Sequence, residues 1–404
     1  MSSRARALVT AATFPQRLTG SESSAPKKEI PRNVGWMRPP MTPWVIPVST
    51  NLLQPLPLTA EGVTAAWLSD ALRTHYPDVV VDNVEPLQFI EGTATKIRLR
   101  LGYRPHTRRG GLPDQMCVKG GFGAHREYLG GQGLYSGEVR FFNEIAPLYE
   151  LTRPASYFGL TQTDPVQGVV ALEDLEARGV VFARATRPLS VKLVAAGLES
   201  LAALHGQSWA DERPRRLGVE PLMPDSTDPV LQDFLDVAPE RFAAPRGFAA
   251  PVALHEPDRL RAAFTAYRAG VHRDAQCVVH GDAHIGNAYV EPDGRVGFVD
   301  WQTVGIGPWV HDVNYFLVSA LDVPDRQTHE RELLGHYLKA LASFGVSAPG
   351  LDEAWSDYRR ATVHGFLGWL CNPDIWQPAE VNTATYARFG MAMLDHDTYH
   401  ALGV

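Results

Sequence analysis

Apolar and polar positions change their rhythm near residue 176. Before it, strand patterns dominate. Residues 96–101 alternate strictly, with Lys96, Arg98 and Arg100 against Ile97, Leu99 and Leu101, which predicts a half-buried strand. Arg109, Gly110 and Gly111 mark a turn, and Met116, Cys117, Val118 and Lys119 read as the returning strand. A glycine-rich linker leads to a helical segment over residues 138–146. An apolar strand over residues 168–172 then runs into Glu173, Asp174 and Leu175. Ahead of these strands, Thr59 is placed to cap a helix whose stripe is Val63, Trp67 and Ala71.

After residue 176 the rhythm becomes helical. Ser190 caps a helix with Val194, Leu198, Leu201 and His205 on one stripe, and a second helix begins near Pro257 with Leu260, Phe264, Tyr267 and Val271 in register. Helical patterns resume after a short strand region near residues 277–300. Strands first and helices afterwards indicate an α+β protein rather than alternating α/β.

The chain has 404 residues, 45% hydrophobic and 21% charged, enough to bury a sizeable core as two domains or one two-lobed enzyme. No run of 18 apolar residues occurs, so no membrane span or membrane partner is expected. A net charge of −7 argues against nucleic acid as a partner, since neutralising phosphates needs a basic surface. Cys117, Cys277 and Cys371 are too far apart in sequence for a CxxC pair and odd in number, which fits reduced thiols and a cytoplasmic location. Residues 1–50 stand apart. They carry seven Lys/Arg, two Glu and seven Pro, a local charge of +5, so the remainder carries −12. That composition predicts a disordered tail; an Arg-containing targeting segment and an initiation at Met41 are the alternatives.

The chemistry concentrates between His280 and Asp312. Tyr289 and Val290 on one side, and residues 296–299 on the other, flank Glu291-Pro292-Asp293-Gly294, a hairpin signal. Antiparallel folding about that turn brings Asn287 beside residues 298–300, so Asn287 and Asp300 meet at the open end of one hairpin. Two hard oxygen ligands at that separation suit Mg²⁺, which completes its shell with phosphate and water. Asp282 lies in the loop entering the same end, where its carboxylate can take a proton from an attacking hydroxyl.

His280-Gly281-Asp282-Ala283-His284-Ile285-Gly286-Asn287, followed by Val299-Asp300-Trp301-Gln302, resembles the catalytic segment of the aminoglycoside phosphotransferase and choline kinase superfamily. Leu172-Glu173-Asp174-Leu175, the segment opening at Glu138, and Leu204-His205-Gly206-Gln207-Ser208-Trp209 resemble its ecdysteroid kinase-like branch. The resemblance spans residues 58–400. It implies a two-lobed protein-kinase-like fold, with a nucleotide-binding lobe over residues 58–176, a catalytic and acceptor-binding lobe over residues 177–404, and ATP in the cleft. Carried over by position, it implies Asp282 as catalytic base and Asn287 and Asp300 on Mg²⁺. It also implies Lys119 on the α- and β-phosphates, oriented by Glu138 with Glu127 and Glu144 as competitors, and Glu173, Asp174 and Leu175 as the hinge at the adenine edge. Gly92, Thr93, Ala94 and Thr95 occupy the place of the phosphate-covering loop without a GxGxxG. They are either a backbone cradle or an ordinary turn.

His280 is expected to brace the catalytic loop, Asp312 to bond loop backbone, and His205 to be a satisfied buried histidine. His284 is either packed or in contact with the nucleotide site. The expected product is a phosphorylated small molecule with a hydroxyl acceptor. The acceptor is apolar or mixed in polarity (steroid-like, polyketide-like or hydroxyacyl), because the stretch holding Trp355, Tyr358, Phe366, Trp369 and Trp376 has few acids to pair a polycation. A cationic acceptor of the aminoglycoside or choline type is the alternative, with acids such as Asp225 or Asp228 reaching the cleft. A metal-dependent phosphohydrolase built on His280, Asp282, His284, His311 and Asp312 is a third reading.

Overall fold

The computed structural model describes residues 55–106, 110–124, 126–222, 229–273 and 277–404. The proposed tail over residues 1–50, Arg109, Asp225 and Asp228 lie outside them. Five strands, β1 (Val81–Ile90), β2 (Thr95–Tyr103), β3 (Gln115–Gly120), β4 (Ser156–Thr163) and β5 (Val166–Glu173), form one antiparallel sheet in the order β1-β2-β3-β5-β4. The alternation of residues 96–101 is the reason β2 sits inside it. Ile97, Leu99 and Leu101 are buried against Trp67, Leu68 and Leu72 of helix α1 (Ala65–Arg73), while Lys96 and Arg98 look the other way.

Two expectations need correction here, and two strands were not foreseen. Helix α1 is capped by Thr64, whose Oγ1 accepts from the Trp67 amide at 3.2 Å; Thr59 instead precedes a single 3₁₀ turn, Ala60–Gly62. The segment 138–146 is not one α-helix. Helix α2 (Arg126–Gly131) is followed by α3 (Leu134–Arg140), which widens into a π-turn over Phe141–Ile145 and then a 3₁₀ turn over Ala146–Leu148. The wider turn lets two consecutive rings enter the core, with Phe141 stacked on Trp301 at 3.8 Å and Phe142 edge-on to Phe141 at 5.1 Å. Finally, β1 and β4 carry no strand pattern in the sequence. β1 is a mostly exposed edge with Pro86 at a register shift, and β4 has a register shift between Ser156 and Phe158.

Helices make up most of the remainder, a C-terminal lobe. The long ones are α4 (Val191–Gln207), α6 (Pro229–Ala243), α7 (Pro257–Arg273), α8 (Trp309–Ala320), α9 (Val323–Ala342), α10 (Leu351–Cys371) and α11 (Ala379–Asp395); α5 (Arg213–Arg216) and α12 (Thr398–Ala401) are short. Ser190 caps α4, and Val194, Leu198, Leu201 and His205 are all buried. Leu260, Phe264, Tyr267 and Val271 of α7 enter the same core. Short strands are threaded between the helices: β6 (Val181–Phe182), β7 (Cys277–Val279), β8 (Ala288–Val290), β9 (Val296–Phe298) and β10 (Gly305–Gly307). β8 and β9 pair with Ala288 opposite Phe298 and Val290 opposite Val296, the register that a Pro-Asp-Gly turn dictates. This is the α+β, protein-kinase-like arrangement expected of the chain.

Thr64→Ala is expected to cost about 1 kcal/mol of stability through loss of the α1 cap. Thr59→Ala should cost distinctly less; chemical denaturation of the two variants compares them.

Candidate active site

The hairpin β8–β9 carries the chemistry to its open end. Beyond the paired residues, the Val299 amide donates to the Asn287 carbonyl at 2.9 Å, so Asn287 and Asp300 leave the ladder together. Asp300 adopts φ +68, a left-handed conformation that asparagine and aspartate tolerate better than most side chains. Asn287 Nδ2 donates to the Asp282 carbonyl at 2.9 Å and to Asp282 Oδ2 at 3.0 Å. That fixes one oxygen of the Asp282 carboxylate and turns Asn287 Oδ1 away from it. Asp282, Asn287 and Asp300 line one cavity of about 580 Å³.

Lys119 ends β3 with its ammonium buried between two carboxylates, 2.7 Å from Glu138 Oε2 and 2.8 Å from Asp300 Oδ1. The partner on the helix is therefore Glu138. Glu127 is exposed beside Arg126, and no ion pair of Glu144 occurs among the described residues. Desolvation works to lower the Lys119 ammonium, and the two carboxylates outweigh it and leave it raised. The Asp300 carboxyl resists burial because Lys119 and Lys96 hold it well below the ordinary range. Glu138 Oε1 also accepts from the Trp301 amide at 3.3 Å.

Asp282 shows the opposite shift. Desolvation in the cleft, and then the charge of Asp300, push its carboxyl up to about 8, against the hydrogen bond from Asn287. The same desolvation holds His284 down to about 3, so its ring is neutral. His284 lines the cavity, accepts from the Gly286 amide through Nδ1 at 3.0 Å, and packs edge-on to Trp369 at 5.0 Å. It is both packed and at the site.

The loop ahead of the hairpin is braced from below. Asp312 is fully buried and accepts from the His280 amide at 2.6 Å, the Gly281 amide at 2.9 Å, and His205 Nε2 at 3.1 Å. His205 is held at its other nitrogen by the Tyr337 hydroxyl at 2.9 Å. His280 Nδ1 accepts from the Asp282 amide and Nε2 donates to the Val299 carbonyl at 3.0 Å. His311 Nε2 donates to the Gly281 carbonyl at 3.1 Å while Nδ1 accepts from Tyr267. Gly281 sits at φ +82 with the Thr303 carbonyl 2.2 Å from where a Cβ would stand, so no other residue fits there. These histidines and Asp312 are thus engaged in loop geometry. Among the described residues no group of three or more His, Cys, Asp or Glu side chains is placed to hold a metal.

Mg²⁺ asks for less, two oxygens alongside phosphate and water. Asn287 Oδ1, with no protein donor among the described residues, and the Asp300 carboxylate fit that demand. The nucleotide side has an unpartnered donor as well. Gln302 is buried, its Oε1 accepts from the Thr93 hydroxyl at 3.1 Å, and its Nε2 has no partner. Thr93 belongs to the segment of Gly92, Thr93, Ala94 and Thr95, which is pinned by the Tyr135 hydroxyl on the Thr93 carbonyl at 2.9 Å and by Ala94 packing on Leu129 and Tyr135. At the hinge positions, Asp174 is buried and ion-paired to Arg98 at 3.0 Å, Glu173 pairs with Arg178 at 2.7 Å, and Leu175 is in the core. Lys96, Arg98, Tyr135 and Gln302 were not singled out by sequence. Lys96 and Arg98 had a signal, being the polar half of the alternating strand, and Gln302 closes the Val299-Asp300-Trp301-Gln302 motif; Tyr135 had none.

Away from Asp282 the cavity runs to Leu222, Phe234, Phe264, Leu367, Trp369 and Trp376. Of the aromatic residues expected near an acceptor, Trp369 and Trp376 line it. Trp355, Tyr358 and Phe366 do not: Trp355 stacks on Tyr358 at 5.4 Å and Phe366 on Tyr386 at 5.1 Å, inside the helical packing. Apart from Asp282 and Asp300, Glu220 is the acid lining the cavity among the described residues.

Fold and site together define a kinase-like small-molecule phosphotransferase. Residues 97–345 match the ecdysteroid kinase-like family, and the chain belongs to that family. A comparison with curated proteins finds no match. Similar solved structures include a *Plasmodium vivax* ethanolamine kinase, at 13% identity over 81% of this chain and 87% of that one with a TM-score of 0.47. A spectinomycin phosphotransferase in complex with ADP and spectinomycin is 14% identical over 83% and 99%, with a TM-score of 0.47. A macrolide 2′-phosphotransferase from *Brachybacterium faecium* is 17% identical over 80% and 97%, with a TM-score of 0.43. No helix among the described residues is long and apolar enough to cross a membrane, and Cys117, Cys277 and Cys371 are free thiols.

Asp312→Ala is expected to cost about 3–5 kcal/mol, since it strands two buried amides and His205. Burial would raise the Asp312 carboxyl, but His205 and the neighbouring histidines outweigh it and hold it below 3.8. Its contribution is therefore complete above the ordinary carboxylate value and is lost as pH falls through the lower folded value. Urea unfolding from pH 7 downward should show a constant gap between wild type and Asp312→Asn that narrows only under acid conditions.

Proposed function

We propose that the protein transfers the γ-phosphoryl group of ATP to a hydroxyl of an apolar or mixed-polarity small molecule of steroid-like, polyketide-like or hydroxyacyl type. The observation that carries this reading is the shared cavity wall of Asp282, Asn287 and Asp300, with an apolar chamber opening from it. Asp282 serves as general base. Its Oδ2 is tied to Asn287, so Oδ1 is the oxygen that takes the acceptor proton. Asn287 and Asp300 hold Mg²⁺, which neutralises charge on the transferring phosphoryl group when bound. Lys119, kept in place by Glu138, serves the α- and β-phosphates. Residues 92–95 cover the phosphates through Thr93 and its tie to Gln302. The backbone of Glu173, Asp174 and Leu175 faces the base.

The acceptor class follows from what lines the chamber. Each desolvated ammonium of a polycation requires a paired anion, and Glu220 is the one lining carboxylate among the described residues that the catalytic roles leave over. An apolar acceptor gains about 25 cal/mol per Å² buried against Leu222, Phe234, Phe264, Leu367, Trp369 and Trp376.

Asp282→Asn should lower kcat by about 10²–10⁴-fold with ATP binding retained; turnover near wild type would remove Asp282 from the base role. In an ATP-coupled assay, hydroxylated steroids and macrolides should be turned over with higher kcat/KM than kanamycin-like aminoglycosides or choline. The reverse order would overturn the acceptor class and leave the kinase reading standing.

A further inference from the structure

Lys96 and Lys119 stand directly opposite one another in the β2–β3 register and therefore project from the same face of the sheet. Like charges directly opposite on neighbouring strands repel. The arrangement is tolerated because one carboxylate serves both: Lys119 Nζ lies 2.8 Å from Asp300 Oδ1, and Lys96 Nζ lies 3.4 Å from Asp300 Oδ2. Their situations otherwise differ. Lys119 also has Glu138 and its side chain is 3% exposed; Lys96 has Asp300 alone among the described residues and is 29% exposed. Of the two ammoniums, the one open to an incoming anion is Lys96. It also directly follows the segment of residues 92–95, which has a single glycine where a glycine-rich loop would offer several close backbone amides.

We propose that Lys96 is a second polyphosphate-binding residue, acting with Lys119 as a two-lysine clamp on the β- and γ-phosphates of a nucleoside triphosphate. The proposal rests on the kinase reading given above. A metal ion on the Asp300 carboxylate would compete with both ammoniums for its oxygens, and Lys96, at 3.4 Å, is the more weakly held of the two. On nucleotide binding Lys119 retains Glu138, whereas Lys96 exchanges Asp300 for phosphate oxygen. A point charge on a strand start thus replaces amide donors that the short loop does not provide.

The test is equilibrium binding of ATP, ADP and AMP with Mg²⁺ by calorimetry, with ligand-free Tm measured in parallel, for wild type, Lys96→Met and Lys96→Arg. Lys96→Met should weaken ATP and ADP about tenfold and leave AMP within about twofold. Lys96→Arg should stay within about threefold of wild type for all three. The ligand-free Tm of Lys96→Met should stay close to that of wild type, because the repulsion from Lys119 and the attraction to Asp300 are lost together. Equal weakening of all three nucleotides together with a lowered Tm would assign Lys96 a structural role and overturn the proposal. Unchanged ATP affinity in Lys96→Met, with wild type binding ATP, would overturn it and leave the kinase reading intact. Absence of ATP binding by wild type would overturn both.

Discussion

A single ammonium, that of Lys119, ties the molecule together. Taking it out of water is tolerable only with anions in contact, and the two anions come from places far apart in sequence. Glu138 arrives on a helix that packs behind the sheet, and Asp300 arrives at the end of a hairpin in the helical lobe. Sheet, helix and hairpin must meet within hydrogen-bond distance of one nitrogen or leave a buried charge unpaired. The same rule governs the loop below, where the fully buried Asp312 carboxylate gathers two amides and an imidazole. The cleft is therefore organised by two buried charges of opposite sign, each compelling separate segments to converge.

The rest of the site is a matter of contrast in solvation. Asp300 keeps its charge because ammoniums face it, while Asp282, a short distance along the same wall, is pushed toward its neutral form by desolvation and by Asp300 itself. The two carboxylates thus differ in the charge state they favour, a division set by neighbours and not by residue type. The chamber beyond carries Leu222, Phe234, Phe264, Leu367, Trp369 and Trp376 alongside polar residues such as Arg140, Asn372 and Gln377.

Much of this was legible in the sequence where a short-range rule applies. The Pro-Asp-Gly turn fixes the hairpin register, and with it the meeting of Asn287 and Asp300. Strict alternation gives β2, and a helical stripe gives α4 with His205 on its buried side. What escaped depends on long-range contact. β1 faces solvent along an edge and needs no apolar rhythm. Nothing local distinguishes Thr59 from Thr64 as a cap until the preceding 3₁₀ turn is seen. The π-turn arises because Trp301, more than 150 residues away, accepts Phe141 on its face. Tyr358 and Trp369 lie on nearly the same face of one helix and are both buried, yet only Trp369 reaches the cavity, a difference of position along the helix axis that packing decides. Lys96 was overlooked for a simpler reason: the polar half of an amphipathic strand is ordinarily read as solvent-facing.

The stack of Phe141 on Trp301, with ring planes nearly parallel at 4°, bears on how such an enzyme can be controlled. Protein kinases switch by moving the helix that carries the glutamate of the lysine–glutamate pair. Here the turn that ends that helix is fastened to the residue following Asp300, so the glutamate and the aspartate travel as one body. Swinging the helix outward would break an aromatic stack, a buried ion pair and the hydrogen bond from the Trp301 amide to Glu138 together. A compound that works by prising that helix away would have to overcome all three contacts at once.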